Sequence, residues 1–256
     1  MMRKWLLILA AAMILAGLLP VNAAAEETEQ NPLLKTFVVR NGDRKSKKIA
    51  ITVDDGFELE YFWKDVELCR QYGIAMTFFP VARTEQTYIL RPEDREKWID
   101  LIDAGCEIGS HSYTHYKLGH RDNRGVLWAL GMFQQTLDEV LGFHYEVRWL
   151  RPPYGSIKDN NGNENRVRKL IKRFGYSNVI TWDVSQTKAK EAIKKVKNGS
   201  ILLFHARERD YKCLKELIPL LLEQGYEPVT VSELFGYDLP ETGGELYVYD
   251  LANYQD

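Results

Sequence analysis

The chain has 256 residues, 45% of them hydrophobic and 27% charged. That balance excludes a disordered, collagen-like or multi-span membrane protein and is ample for one sizeable core. Lys and Arg total 34 against 36 Asp and Glu, a net charge of −2, which argues against nucleic acid or another polyanion as partner.

Arg3 and Lys4 open the chain, followed by an apolar stretch from Trp5 to Val21 and small residues up to Ala25. This order is that of a secretory signal, cut after Ala23 or Ala25, so the protein is expected outside the cytoplasmic membrane, secreted or attached to the cell envelope. The stretch is near the minimum for spanning a bilayer, roughly 17 residues, so an uncleaved N-terminal anchor within residues 1–25 is the alternative and the only membrane contact expected. Residues 26–46 are polar with Asn, Gly and Asp turn signals and read as a linker.

From Lys48 the texture changes. KIAITVDD (48–55) is a β-branched run, and residues 62–72 place Phe62, Val66 and Cys69 at helical spacing before Gly73. AMTFFPVA (75–82) reads as a strand, residues 92–104 as a helix opened by Pro92 and stopped at Gly105, and CEIGSH (106–111) as a third strand. The pattern continues with a long helix over 123–141, a strand running into a turn in VRWLRPPYG (147–155), and a helix over 164–174. SNVITWDV (177–184) is a strand, 188–197 a basic helix, SILLFHA (200–206) a strand and 210–224 a helix, with EPVTVSELF (227–235) closing the series. Short strands alternating with longer helices indicate βαβ units and a parallel sheet, and six or seven such units favour a barrel. The three cysteines, Cys69, Cys106 and Cys213, are widely spaced with no CxxC and read as buried free thiols, with one disulfide and one thiol left over as the alternative.

Four strands end in groups an ordinary core would not place there: Asp54-Asp55-Gly56, His111 to His115, Arg151-Pro-Pro-Tyr154-Gly155, and His205. In a parallel barrel these share one rim, the rim that carries chemistry. Adjacent carboxylates repel unless a cation or a proton holds them. In a helical turn, His111 and His115 would project to one side and could bind one metal. One carboxylate and two imidazoles leave positions open for water and substrate, and the second carboxylate is free to act as a base. Alone, each motif has a plain reading: surface histidines, a helix cap, a turn with a structural arginine, a core histidine. Their joint placement on successive strand ends points to one site.

TVDDG (52–56), HSYTH (111–115), RPPYG (151–155) and LFH (203–205), in this order, resemble the polysaccharide deacetylase, or NodB-homology, domain of carbohydrate esterase family 4. The resemblance extends over residues 47–235 and implies a deformed (β/α) barrel. It further implies metal-dependent removal of N-acetyl groups from a cell-wall or chitin-like polysaccharide, peptidoglycan foremost, with release of acetate. By motif, Asp54 resembles the catalytic base and Asp55, His111 and His115 the ligands of a divalent metal, zinc foremost, with cobalt, nickel or manganese as alternatives. Arg151 resembles the residue that orients the base, the turn at Tyr154 the one whose N–H holds the oxyanion, and His205 the general acid. O-deacetylation of a polymer such as xylan, or a non-catalytic glycan-binding barrel, are the other readings. A monomer is expected.

Val53 stands where the family usually has an aromatic residue. The family's Asp-Trp pair after the WDV strand is absent, with Asp183 or Trp182 the candidates to replace it. The tail, 236–256, carries Tyr237, Tyr247, Tyr249 and Tyr254 and is expected to pack as a last strand or to contact glycan. Its LPETG (239–243) lacks the apolar span and basic end of a sortase signal and reads as coincidence. His120 and His144 match no motif and are expected on the surface.

Overall fold

The computed structural model describes residues 31–254; residues 1–25, expected to be a signal or anchor, lie outside them. In chain order the strands are β1 (Val38–Val39), β2 (Lys48–Asp55), β3 (Thr77–Pro80), β4 (Glu107–Ile108), β5 (Val179–Ile180), β6 (Ile201–His205) and β7 (Glu227–Val229). The α-helices are α1 (Leu59–Tyr72), α2 (Arg95–Asp103), α3 (Asn123–Leu141), α4 (Asn165–Phe174), α5 (Ala189–Ala192), α6 (Glu208–Glu223) and α7 (Val231–Leu234). Among the described residues no helix is long and apolar enough to cross a membrane.

β2 is the hub. Seven of its eight residues are buried, as in a parallel strand covered on both faces. β3 pairs along one edge, from Thr52 opposite Thr77 to Asp55 opposite Pro80. β6 pairs along the other, with Asp54 opposite His205, while β7 takes the start of the β3 edge, so that Ala50 has Ile201 on one side and Val229 on the other. β4 adds to β3, and all of these pairings are parallel.

The ring closes through single bridges. Ser110 N–H donates to Trp149 O at 2.8 Å, Arg151 N–H to Ser110 O at 2.9 Å, and Ile180 N–H to Leu150 O at 2.9 Å. Past β5, Val184 bridges Leu202 of β6. The result is a deformed (β/α) barrel. The strand expected over 147–155 is thereby reduced to one bridging residue on each side, Leu150, because Pro152 and Pro153 have no N–H to continue a ladder.

Local sequence sets the helix ends. Asp122 accepts from Gly125 N–H at 2.7 Å to cap α3, which Gly142 ends at φ +77°. Gly73 ends α1 in the same way, at φ +62°. The basic helix expected over 188–197 shrinks to the single turn α5, since five lysines in that stretch repel one another.

Residues 31–46, read as a linker, belong to the packed unit. Leu34, Phe37 and Val39 are buried, and β1 pairs with β5: an apolar triplet between two turns finds a strand edge. Among its described residues, 236–254, the tail forms no strand. It runs along α3, where Tyr247 N–H donates to Asp138 Oδ2 at 2.8 Å and Tyr249 N–H to Gln135 Oε1 at 3.0 Å. His144 is half-buried rather than exposed, with Nδ1 2.7 Å from Asp138 Oδ2. All three cysteines are buried and free.

At the end of the barrel opposite the rim, Glu107 is fully buried. Its carboxylate accepts from Thr77 Oγ1 at 2.9 Å, from Ser232 N–H at 3.1 Å and from the Ser232 hydroxyl, tying β3, β4 and α7 together. Burial pushes its carboxyl above the usual range, although these donors oppose the shift. Glu107→Ala orphans three buried donors and should lower unfolding free energy by roughly 2–4 kcal/mol. Urea denaturation reads this as a lower midpoint; an unchanged midpoint would contradict the account.

Candidate active site

The rim residues converge as their parallel strands require. Asp54 and Asp55 end β2, His111 follows β4, Arg151 follows Leu150, and His205 ends β6. Their backbone is unusual: Asp55, Ser112 and Tyr154 have φ of 75°, 68° and 62°. Among the described residues these are the non-glycine positions with positive φ, and they lie at one site. Left-handed backbone at such residues persists only where the surroundings enforce it, and it clusters where function demands it.

The two carboxylates are held differently. Arg151, fully buried, donates from Nη1 to Asp54 Oδ1 and to Thr52 Oγ1, both at 2.7 Å. Its Nη2 donates to Thr181 O at 3.2 Å, and its guanidinium lies 4.3 Å from the Phe79 ring centre. Burial draws the guanidinium's proton affinity down and Asp54 opposes that loss. Asp54 is thus fixed by one oxygen while Oδ2 stays on the rim, 3.8 Å from His111 Nε2.

Asp55 Oδ1 is buried and accepts no hydrogen bond. It faces His111 Nε2 at 3.4 Å and His115 Nε2 at 3.3 Å. His111 Nδ1 is 2.7 Å from Arg151 O; the carbonyl can only accept, so Nδ1 carries the proton and Nε2 presents a lone pair in the neutral ring. One donor atom from each of the three residues lies within 4.8 Å of the other two. An orphaned carboxylate oxygen facing two imidazole nitrogens is a donor set that could hold a divalent cation, with the second nitrogen of His111 anchored on a carbonyl in the manner of metal-binding histidines.

The surrounding charges act in the same sense. Burial pushes Asp55 up, but the His111 imidazole and the charges of His111, His115 and His205 bring it below the usual carboxylate range. Burial lowers His111, and Asp54 and Asp55 reverse the sign so that it lies above its ordinary value. His115 is lowered, by burial first and by His111 second.

The convergence of His111 and His115 does not come from a helical turn. Residues 111–115 form an irregular loop in which left-handed Ser112 reverses the chain and Ser112 Oγ donates to Thr114 O, bringing the ring centres to 5.1 Å. Phe57 packs edge-on against His115 at 5.6 Å, and the exposed Tyr154 ring lies 4.6 Å from it on the rim.

His205 is partly exposed. Its backbone N–H donates to Asp210 Oδ2 at 3.0 Å, and its Nδ1 lies 3.5 Å from the same oxygen. The sequence reading missed Asp210, which lies in the first turn of α6 and reads there as a partner for the helix dipole. Asp183 does not reach His205. It binds Arg44 at 2.6 Å, Ser200 Oγ at 3.1 Å and Ile201 N–H at 2.9 Å, four residues and about 13 Å back along β6. Trp182 packs beneath Gly155, where an added Cβ would come within 2.7 Å of its ring. Thr52 and Arg207 were also missed: Thr52 shares Arg151 with Asp54, and Arg207 Nη2 stands 3.7 Å from Asp55 Oδ2.

The sequence pattern of the polysaccharide deacetylase family matches residues 41–179. A peptidoglycan-N-acetylglucosamine deacetylase of Bacillus cereus is 30% identical over 222 residues, covering 79% of this chain and 93% of the relative. The peptidoglycan-N-acetylmuramic acid deacetylase PdaC of Bacillus subtilis is 28% identical over 83% of this chain, which spans only 44% of that longer protein. Among solved structures, a family 4 carbohydrate esterase from Bacillus anthracis superposes with a TM-score of 0.63 at 27% identity, covering 79% of this chain and 88% of its own. A family 4 pseudoenzyme from the same organism superposes with a TM-score of 0.65 at 22% identity, covering 80% and 71%, a likeness of fold alone. Pattern and relatives agree with the rim motifs: the chain belongs to the polysaccharide deacetylase family, hydrolases acting on the amide bonds of acetylated glycans.

Proposed function

We propose that the protein is a metal-dependent de-N-acetylase of peptidoglycan, working outside the cytoplasmic membrane and releasing acetate from N-acetylated sugars of the glycan strand. The observation that carries this reading is the unpaired Asp55 Oδ1 facing two imidazole nitrogens, beside an arginine-clamped Asp54 and within one rim of His205. Relatives named for peptidoglycan deacetylation support the choice of glycan.

Asp55, His111 and His115 would hold the metal, with zinc the first choice of ion. A divalent ion bound there supplies Lewis acidity toward the acetamide carbonyl and the attacking water. The chain's own groups do the rest. Asp54, oriented through Oδ1 by Arg151, takes the water's proton at its free Oδ2. The backbone N–H of Tyr154, presented by a strained turn next to His115, donates to the oxyanion. His205, with Asp210 held against Nδ1, gives a proton from Nε2 to the departing amine, a very poor leaving group without it. Asp210 thus takes the place of the missing family aspartate, arriving from the helix after the histidine instead of from the loop before it.

Mass spectrometry of peptidoglycan fragments and N-acetylglucosamine oligomers, incubated with the metal-loaded protein, should show successive losses of one acetyl mass. No loss from any N-acetylated glycan with any of the four metals would refute the reading. Asp54→Asn should lower kcat by about a thousandfold, the scale of a lost general base, while the variant keeps its metal. Asp210→Asn should lower kcat about tenfold or more with KM within roughly twofold, since it acts on the proton donor and not on binding. A rise in KM at constant kcat would remove Asp210 from this role.

A further inference from the structure

This inference rests on the deacetylase reading and concerns what the site holds next to the sugar that reacts. Leading off the rim, a cleft of about 550 Å³ is lined by Tyr116, Lys117, His120, Arg121 and Tyr154. Tyr154 belongs to both spaces. Its ring lies 4.6 Å from His115, and Lys117 Nζ stands 5.3 Å from its centre. The Arg121 guanidinium lies 4.2 Å over the Tyr116 ring. Both cations rest on aromatic faces, and among the described residues neither pairs with a carboxylate. The Glu85 carboxylate beside them is taken by the Tyr116 hydroxyl.

The loop that carries these residues is held in place. Arg166 donates to Gly119 O at 3.1 Å and to Arg121 O at 2.7 Å. Gly119 packs so closely on Lys158 O that an added Cβ would come within 1.9 Å of it. Cleft geometry is thus set before any ligand arrives, which reduces the ordering cost of binding.

The chemistry of the lining selects its occupant. The exposed parts of the Tyr116 and Tyr154 rings add apolar surface against which a pyranose ring can rest. An ammonium and a guanidinium parked on π-faces keep their hydrogen-bond donors for an anion, and the guanidinium can grip a carboxylate with two of them. In a chain of net charge −2, a cationic cleft adjoining the reaction centre is a local departure with a recognisable ligand class. We propose that this cleft is a subsite for a carboxylate on the glycan next to the reacting N-acetyl group, so that Lys117 and Arg121 select acidic cell-wall glycan over neutral chitin-like chains. The carboxylate can come from a lactyl ether on the sugar or from a peptide attached to it.

The test compares kcat/KM for three substrates of equal sugar length: a neutral N-acetylglucosamine oligomer, an N-acetylglucosamine–N-acetylmuramic acid oligomer with free lactyl carboxylates, and the same oligomer carrying stem peptides. The wild-type protein should favour at least one of the acidic substrates, and whichever is favoured identifies the source of the carboxylate. Added salt should weaken the preference. In the double variant Lys117→Gln/Arg121→Gln the acidic-to-neutral ratio should fall about tenfold, whereas Lys215→Gln, on the exposed side of α6, should leave it in place. Each ratio is internal to one protein sample, so it is insensitive to partial misfolding. Equal kcat/KM on all three substrates, a salt-independent preference, or an unaltered ratio in the double variant would overturn the subsite while leaving deacetylation standing. Inactivity of the wild-type protein on all three would instead overturn the deacetylase reading.

Discussion

Two carboxylates side by side at the end of a buried strand are the constraint on which the rest of the site depends. Asp54 and Asp55 are both about 3% exposed, too little for water to stabilise two adjacent charges. The barrel resolves the conflict by treating them unequally. A fully buried arginine from the bridging segment across the ring neutralises Asp54 and fixes its orientation. Asp55 is turned by a left-handed backbone toward two histidines and left with an oxygen that no protein donor satisfies. Breaking a buried pair such as Asp54–Arg151 costs roughly 3–5 kcal/mol in proteins generally, because the remaining charge is stranded. Chemistry and stability are joined at that pair.

The parallel topology makes this arrangement possible. β6 runs beside β2 in register, so His205 stands opposite Asp54 without any long loop to carry it. Single-residue bridges at Leu150 and Val184 close the ring where regular strands are missing. Closure at Leu150 also delivers Arg151, whose backbone carbonyl orients His111 while its side chain holds Asp54. One residue therefore sets the tautomer of a metal-type ligand and the position of a base-type carboxylate.

Much of this was legible in the sequence. The strand ends carried their polar residues in plain view, because an apolar run that stops on Asp-Asp or His is unusual whatever the fold. The positions of Asp54, Asp55, His111, His115, Arg151 and His205 on one rim follow from parallel strands alone. What stayed hidden depended on backbone conformation or on contacts across the chain. The loop 111–115 brings its histidines together through a left-handed serine, which no periodicity announces. Asp210 reads as an ordinary acidic residue at a helix start until α6 is seen to begin beside His205. Phe37 to Val39 were obscured by the polar residues around them, and the tail's tyrosines found α3 in place of a sheet edge.

The central claim is that Asp55, His111 and His115 exist to hold a divalent ion, and metal analysis of the purified protein tests it most directly. After incubation with zinc and removal of the excess, inductively coupled plasma mass spectrometry should find one ion per chain in the wild-type protein. In folded Asp55→Ala and His115→Ala variants it should find close to none. A wild-type chain that retains no zinc, cobalt, nickel or manganese, or variants that retain as much as wild type, would contradict the account.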